Sequence, residues 1–260
     1  MGTRLDATAL PPEGAAALRR AYARAYGIRD ERGYGHHAGL HGLPLPAWCP
    51  HHTLLFLPWH RAYLYFFERA LKDLEPGADL PWWDWTSTTS HSEGLPSAYR
   101  RTAARVNTNP LATGPVPLSV ADLERFRRDP VNRGAISGGA LPWTLRDPGV
   151  PDELPRAQTL RRALASRSFA DFSVLVEGIH ASVHTWVGGA MTLISVAAYD
   201  PLFWAHHAMI DRLWYLWQLR TQGLPPAHLL DQALPPFPMT VRETLDISRL
   251  GYDYAVTVVQ

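Results

Sequence analysis

FLPWHRAYLYFFE, residues 56–68, and DPLFWAHHAMIDRLW, residues 200–214, decide how this chain folds. In the first, His60, Leu64, Phe67 and Leu71 recur at helical spacing and share one face, while Glu68 and Lys72 form an exposed i,i+4 pair. Pro58 suits a first helical turn, and Glu75-Pro76-Gly77 is a strong stop. In the second, Asp200-Pro201 opens a helix that runs to about Thr221, with His207, Ile210, Asp211, Trp214 and Trp217 on one side. Working outward, residues 13–27 and 170–186 read as two more helices, the latter carrying His180 and His184 four apart on one face. Residues 33–57 read as an irregular loop. Residues 81–165 read as a long loop system with short helices, one of them over 118–128 opened by Ser119, with Gly138–Gly139 a turn, and a loop with Gly188–Gly189 follows the 170–186 helix. The Pro-rich tail leads to Val256, Val258 and Val259, which can form a short strand. The expected class is mainly α: a four-helix bundle core, long irregular loops and little β.

The 260 residues fit one domain, 1–260, with a substantial core. Hydrophobic and charged contents of 46% and 19% are ordinary for a globular protein. A formal net charge of +1 argues against a nucleic-acid or membrane-surface partner held by charge. No stretch approaches the apolar length of a membrane span, and the N-terminus lacks a hydrophobic secretion segment. The chain as written therefore reads as cytoplasmic, with export by a partner left open. Cys49 is the single cysteine, so no intrachain disulfide is possible.

Six histidines carry the chemistry: His41, His51 and His60 in the first half, and His180, His184 and His207 in the second. Singly each is weak evidence, and the HEXXH pattern of zinc proteases is absent. Together, six neutral imidazoles with no carboxylate among them suit two copper ions better than magnesium, calcium or a hydrolytic zinc. That points to a dinuclear copper protein handling O2.

LHG (40–42), CPHH (49–52), FLPWHRAYLYFFE, HASVHTWVGGAM (180–191), DPLFWAHHAMIDRLW and the closing GYDY (251–254) resemble the type-3 copper proteins. These are tyrosinases, catechol oxidases and molluscan hemocyanin units, and the likeness covers roughly residues 35–86 and 170–218 besides GYDY. It implies that His41, His51 and His60 hold one copper and His180, His184 and His207 the other. His36 and His37 are rivals to His41, His52 is a neighbour of a ligand, and His206 packs behind the last ligand. Cys49-Pro50-His51 matches the spacing that carries a cysteine–histidine thioether in some members. Asp84 and Asp211-Arg212 fall at scaffold positions, and Arg4 is a candidate to stack on the Tyr252–Tyr254 motif.

The implied activity is a polyphenol oxidase that uses O2 to turn o-diphenols, small phenolic substrates, into o-quinones. Oxidation of o-aminophenols, or hemocyanin-like O2 carriage, are the alternatives. Ala181 stands where many monophenol-hydroxylating members have an asparagine paired with a glutamate. Glu177 is the candidate acidic partner, or else an ordinary helix carboxylate, and Val196 lies near the family's substrate gate. The missing amide leads to the expectation that diphenol oxidation exceeds monophenol hydroxylation. With about forty residues after the last copper helix, a covering C-terminal domain is not expected. A copper-delivery or caddie-type partner remains open.

Overall fold

The computed structural model describes residues 2–44, 47–102 and 108–255. Among them are eight α-helices: α1 (Pro12–Gly27), α2 (Tyr34–Gly39), α3 (Phe56–Leu74), α4 (Thr88–Glu93), α5 (Val120–Arg128), α6 (Ala157–Leu164), α7 (Phe169–Val187) and α8 (Pro201–Thr221). The mainly helical fold expected from the sequence is the fold observed. Its core packs α3 against α8, with α7 against both of them and α1 against α3. None of these helices is long and apolar enough to cross a membrane.

Side-chain caps explain where the long helices begin. Ser168 opens α7 by accepting from the Asp171 N–H, and Asp200 opens α8 by accepting from that of Leu202. Helix α3 starts two residues before Pro58, because the first turn's N–H groups have no partner within the helix and proline loses no helical bond there. The short helix α2 lies inside a segment that reads as an irregular loop, and α4 and α6 are short helices within the 81–165 loop system. Arg146 pins this irregular region to the start of α8. Its Nη2 lies 2.6 Å from Asp200 Oδ1, and it also donates to the carbonyls of Tyr99 (2.7 Å) and Leu111 (2.9 Å). Asp84 holds its own turn by accepting from the Thr86 N–H (2.9 Å) and hydroxyl (2.6 Å).

Aromatic stacking fills the helix contacts. Phe67 of α3 lies face to face on Trp204 of α8, with centroids 3.6 Å apart, and Phe172 of α7 stacks on Trp217 of α8 at 4.9 Å.

The two ends of the chain meet in a parallel pair, β1 (Gly2–Arg4) with β2 (Tyr252–Tyr254). The expected strand at Val256, Val258 and Val259 lies outside the described residues. Arg4 is fully buried, its guanidinium stacked 3.6 Å from the Tyr252 ring centroid. It donates to Glu68 (2.7 Å), Asp211 (3.1 Å) and the Tyr254 hydroxyl (2.8 Å). Glu68 thus points inward to Arg4, and the exposed pairing with Lys72 is corrected: the carboxylate is buried, with Lys72 at 3.5 Å on its outer side. Asp211 also accepts from Arg61 and from the hydroxyls of Tyr252 (2.7 Å) and Tyr254 (2.6 Å). Burial pushes the Asp211 carboxyl up, but Arg61 and Arg4 outweigh it and hold the group below the usual aspartate range. Burial likewise opposes ionisation of Glu68, and Arg4 overrides it.

Because both carboxyls titrate lower when folded, their stabilisation is complete above the unfolded carboxylate range and is lost as pH falls through and below it. Metal-free protein should therefore keep constant stability toward these groups near neutrality and lose it below about pH 4. Asp211→Asn, which leaves two guanidiniums short of a counter-charge, should cost about 3–5 kcal/mol in urea unfolding at pH 7. A loss under about 1 kcal/mol would show that the network is not what ties the ends together.

Candidate metal centre

The six histidines come from unequal surroundings. His60 lies on α3, His180 and His184 on α7, and His207 on α8, while His41 follows α2 and His51 sits in the turn before α3. Helix α1 contributes none. Among the described residues, two clusters can hold a metal: His41, His51 and His60, and His180, His184, His206 and His207. They face each other, His60 stacked on His207 with centroids 4.6 Å apart and His51 on His180 at 6.0 Å.

Main-chain carbonyls orient three of the rings. His41 Nδ1 faces the Ile194 carbonyl at 3.1 Å, His60 Nδ1 that of Phe56 at 2.8 Å, and His184 Nδ1 that of Met191 at 2.7 Å. A carbonyl only accepts, so each Nδ1 carries the proton and each Nε2 presents a lone pair. The Nε2 atoms of His41 and His60 are buried with no hydrogen-bond partner. Those of His180 and His184 converge on His207 Nε2 at 3.1 and 3.2 Å. Burial drives every one of these imidazoles toward the neutral form: His51 and His184 titrate down at about 4, and His41, His60, His180 and His207 well below the ordinary histidine range. Neutral, buried, convergent and otherwise unsatisfied nitrogens with no carboxylate among them fit copper.

The rivals to His41 lie elsewhere. His37 is buried against Phe67, its carbonyl bonded by the Tyr63 hydroxyl, and His36 packs beside it rather than in either cluster. His206 is fully buried, stacked on His180 with centroids 5.2 Å apart, so it sits within reach of the second cluster as well as behind it. The side chain of His52 is 92% exposed. Cys49 Sγ donates to the His41 carbonyl at 3.0 Å, and burial raises its thiol to about 12.

Two positions differ from expectation. Val196 is fully buried, because the main-chain bonds of Val196 and Ala197 to the Leu193 carbonyl turn it inward. Ile194, 51% exposed, lines the opening over the histidines instead. Glu177 does not line that opening either. Its carboxylate accepts from the His52 main-chain N–H at 2.6 Å and faces a neighbouring groove. Ala181 does line the opening, with Thr192, His41, His51, His180 and His184, around a cleft of about 110 Å³.

Sequence reading passed over Gly42. A Cβ there would lie 2.5 Å from the Ser195 carbonyl oxygen and 2.6 Å from that of Ile194. Only glycine lets the chain after His41 approach the carbonyl that orients its ring. Its position directly after a candidate ligand was the one available signal.

Fold and clusters define a copper-binding protein of the type-3 class, shared by tyrosinases and hemocyanins. The family model for the common central domain of tyrosinase matches residues 31–220. A tyrosinase of Streptomyces lincolnensis is 33% identical over 208 residues, which cover 72% of this chain and 74% of that protein. Hemocyanin units G and H of Sepia officinalis are 31% identical over 237 residues, 85% of this chain but only 39% of their own length. A functional unit of octopus hemocyanin superposes with a TM-score of 0.81 at 26% identity, covering 98% of this chain and 68% of its own. The chain belongs to the tyrosinase family.

Gly42→Ala should weaken copper binding about 10–100-fold, the usual cost of disturbing a group that orients a ligand. Competition with a chromophoric chelator would measure it, and wild-type affinity would rule out the close approach as the reason for glycine.

Proposed function

We propose that the chain holds two copper ions, one on His41, His51 and His60 and one on His180, His184 and His207. With them it uses O2 to oxidise o-diphenols to o-quinones, and it hydroxylates monophenols more weakly. The observation that carries this reading is the cleft over the histidines. Its volume of about 110 Å³ is of the order of the ~150 Å³ apolar cavity that takes a benzene. Bound copper would supply the electron transfer between phenol and O2. The chain's own residues orient the imidazoles, keep water from the buried nitrogens and shape a rim from Ala181, Thr192 and Ile194. Two diphenols release four electrons and four protons, which reduce one O2 to two waters. A monophenol instead takes one oxygen atom at its ortho carbon and leaves as the o-quinone, and the two electrons and two protons it gives up reduce the other oxygen atom to water.

The second route also requires removal of the phenol proton. Ala181 places a methyl group where many relatives carry an amide, and the Glu177 carboxylate is engaged by the His52 N–H. A methyl group at Ala181 and a Glu177 carboxylate turned toward the neighbouring groove support a bias toward diphenols. Reversible O2 binding without turnover is the second reading, drawn from the likeness to hemocyanin units. The open cleft over the histidines favours turnover.

Oxygen uptake by copper-loaded protein, with a catechol and its matching monophenol side by side, tests this. Uptake with the catechol should exceed uptake with the monophenol, and no uptake with either would leave O2 carriage as the function. Ala181→Asn should raise the monophenol-to-diphenol rate ratio, and an unchanged ratio would remove Ala181 from the explanation.

The half-buried Cys49, two residues before His51, supports a thioether to that ring in the copper-loaded protein. The S–C bond would replace one S–H and one C–H, with two electrons and two protons passing to O2. Denatured copper-matured protein should then be lighter than metal-free protein by a pair of hydrogens, and equal masses would exclude the link.

A further inference from the structure

We infer that Glu177 is a positioning residue: from the helix carrying His180 and His184, it locks the turn that presents His51. This rests on reading the two facing histidine trios as a metal centre. His51 differs from its companions in the first trio. Carbonyls fix the rings of His41 and His60, but among the described residues no hydrogen bond holds the ring of His51, which only packs against His41, Phe56, His60 and His180. With no hydrogen bond on the ring, its stance in this structure depends on those contacts and on the backbone that carries it.

The next residue shows how. His52 has φ +57°, a left-handed conformation that is uncommon outside glycine and unfavourable for an L-residue. Its side chain is 92% exposed, so packing does not hold it there. The strong contact it makes is the bond from its main-chain N–H to Glu177 Oε1 at 2.6 Å, with the imidazole Nδ1 at 3.8 Å from the same oxygen. Glu177 is itself 8% exposed, anchored on a long helix and charge-assisted as an acceptor. A rigid carboxylate thus offsets the unfavourable backbone of His52 and fixes the peptide that follows His51. One bond couples the loop of the first trio to the helix of the second, and it sets how His51 stands opposite His180.

The test compares Glu177→Ala, Glu177→Gln and the double variant Glu177→Ala/His52→Gly. Alanine is the best helix former, so the first substitution does not weaken α7 itself. Copper-to-protein ratio after dialysis against a chelator is one readout, and exchange of the His52 amide in metal-free protein is the other. Wild type should keep two ions and Glu177→Ala one, with the first ion bound about 10–100-fold more weakly. Glu177→Gln, whose amide oxygen accepts the same bond, should stay near wild type. The double variant should recover the first ion, because glycine adopts the left-handed conformation without help. His52 amide exchange should rise at least about tenfold in Glu177→Ala and stay slow in Glu177→Gln. Wild-type behaviour of Glu177→Ala in both measurements would overturn the proposal, as would a Glu177→Gln protein as impaired as the alanine variant. If wild type retains no copper, the metal reading fails, while amide exchange still decides whether the bond holds the turn.

Discussion

Asp211 is the constraint on which the rest of this structure depends. It lies one helical turn beyond His207, on the same face of α8, and it takes charge from Arg4 and Arg61 together. Arg61 directly follows His60, so the pair that joins α3 to α8 stands one turn below the point where His60 stacks on His207. Glu68, two turns further along α3, takes the other side of Arg4 and draws the first strand into the same network. Buried charges of this kind add little net stability over an apolar core, but their directionality allows only one register between the helices. A slip of either helix would strand a guanidinium and part the histidine clusters at once.

A second constraint follows from putting imidazoles where water cannot reach them. Each ring must satisfy two nitrogens, and a ring kept for a metal must leave one of them without a protein partner. For His41, His60 and His184 the chain meets this by aiming carbonyls at Nδ1. Two of those carbonyls belong to the irregular segment after Gly188, where α7 has ended and the backbone is free to turn. This segment forms the rim of the cleft and also orients the metal-facing nitrogens, so substrate access and ligand geometry share one stretch of backbone. A loop with few regular bonds is therefore among the most constrained parts of the molecule.

Much of this was legible in the sequence where local physics decides. Ser119 and Asp200-Pro201 announce helix starts because a capping side chain acts within three residues. The i,i+4 spacing of His180 and His184 guarantees a shared face on any helix. The positions of α2, α4 and α6 were not legible, since one or two turns are too short to show a period and form only against neighbours. Glu68 illustrates the other failure. Four residues from Lys72 it reads as a surface pair, yet a guanidinium 64 positions earlier in the chain claims it.

By itself the sequence determined the long helices, the metal-binding residue types and the ligand spacings, because caps, periodicity and donor chemistry operate over a few residues. Only the tertiary structure decided that His41 rather than His36 or His37 completes the first cluster, and that Ile194 rather than Val196 lines the cleft. It also decided that Gly42 and Glu177 serve backbone atoms far away in the chain. Each of these depends on which main-chain group lies within about 3 Å of which side chain. Distances of that kind are set by the packing of α3, α7 and α8, and no local stretch of residues encodes them.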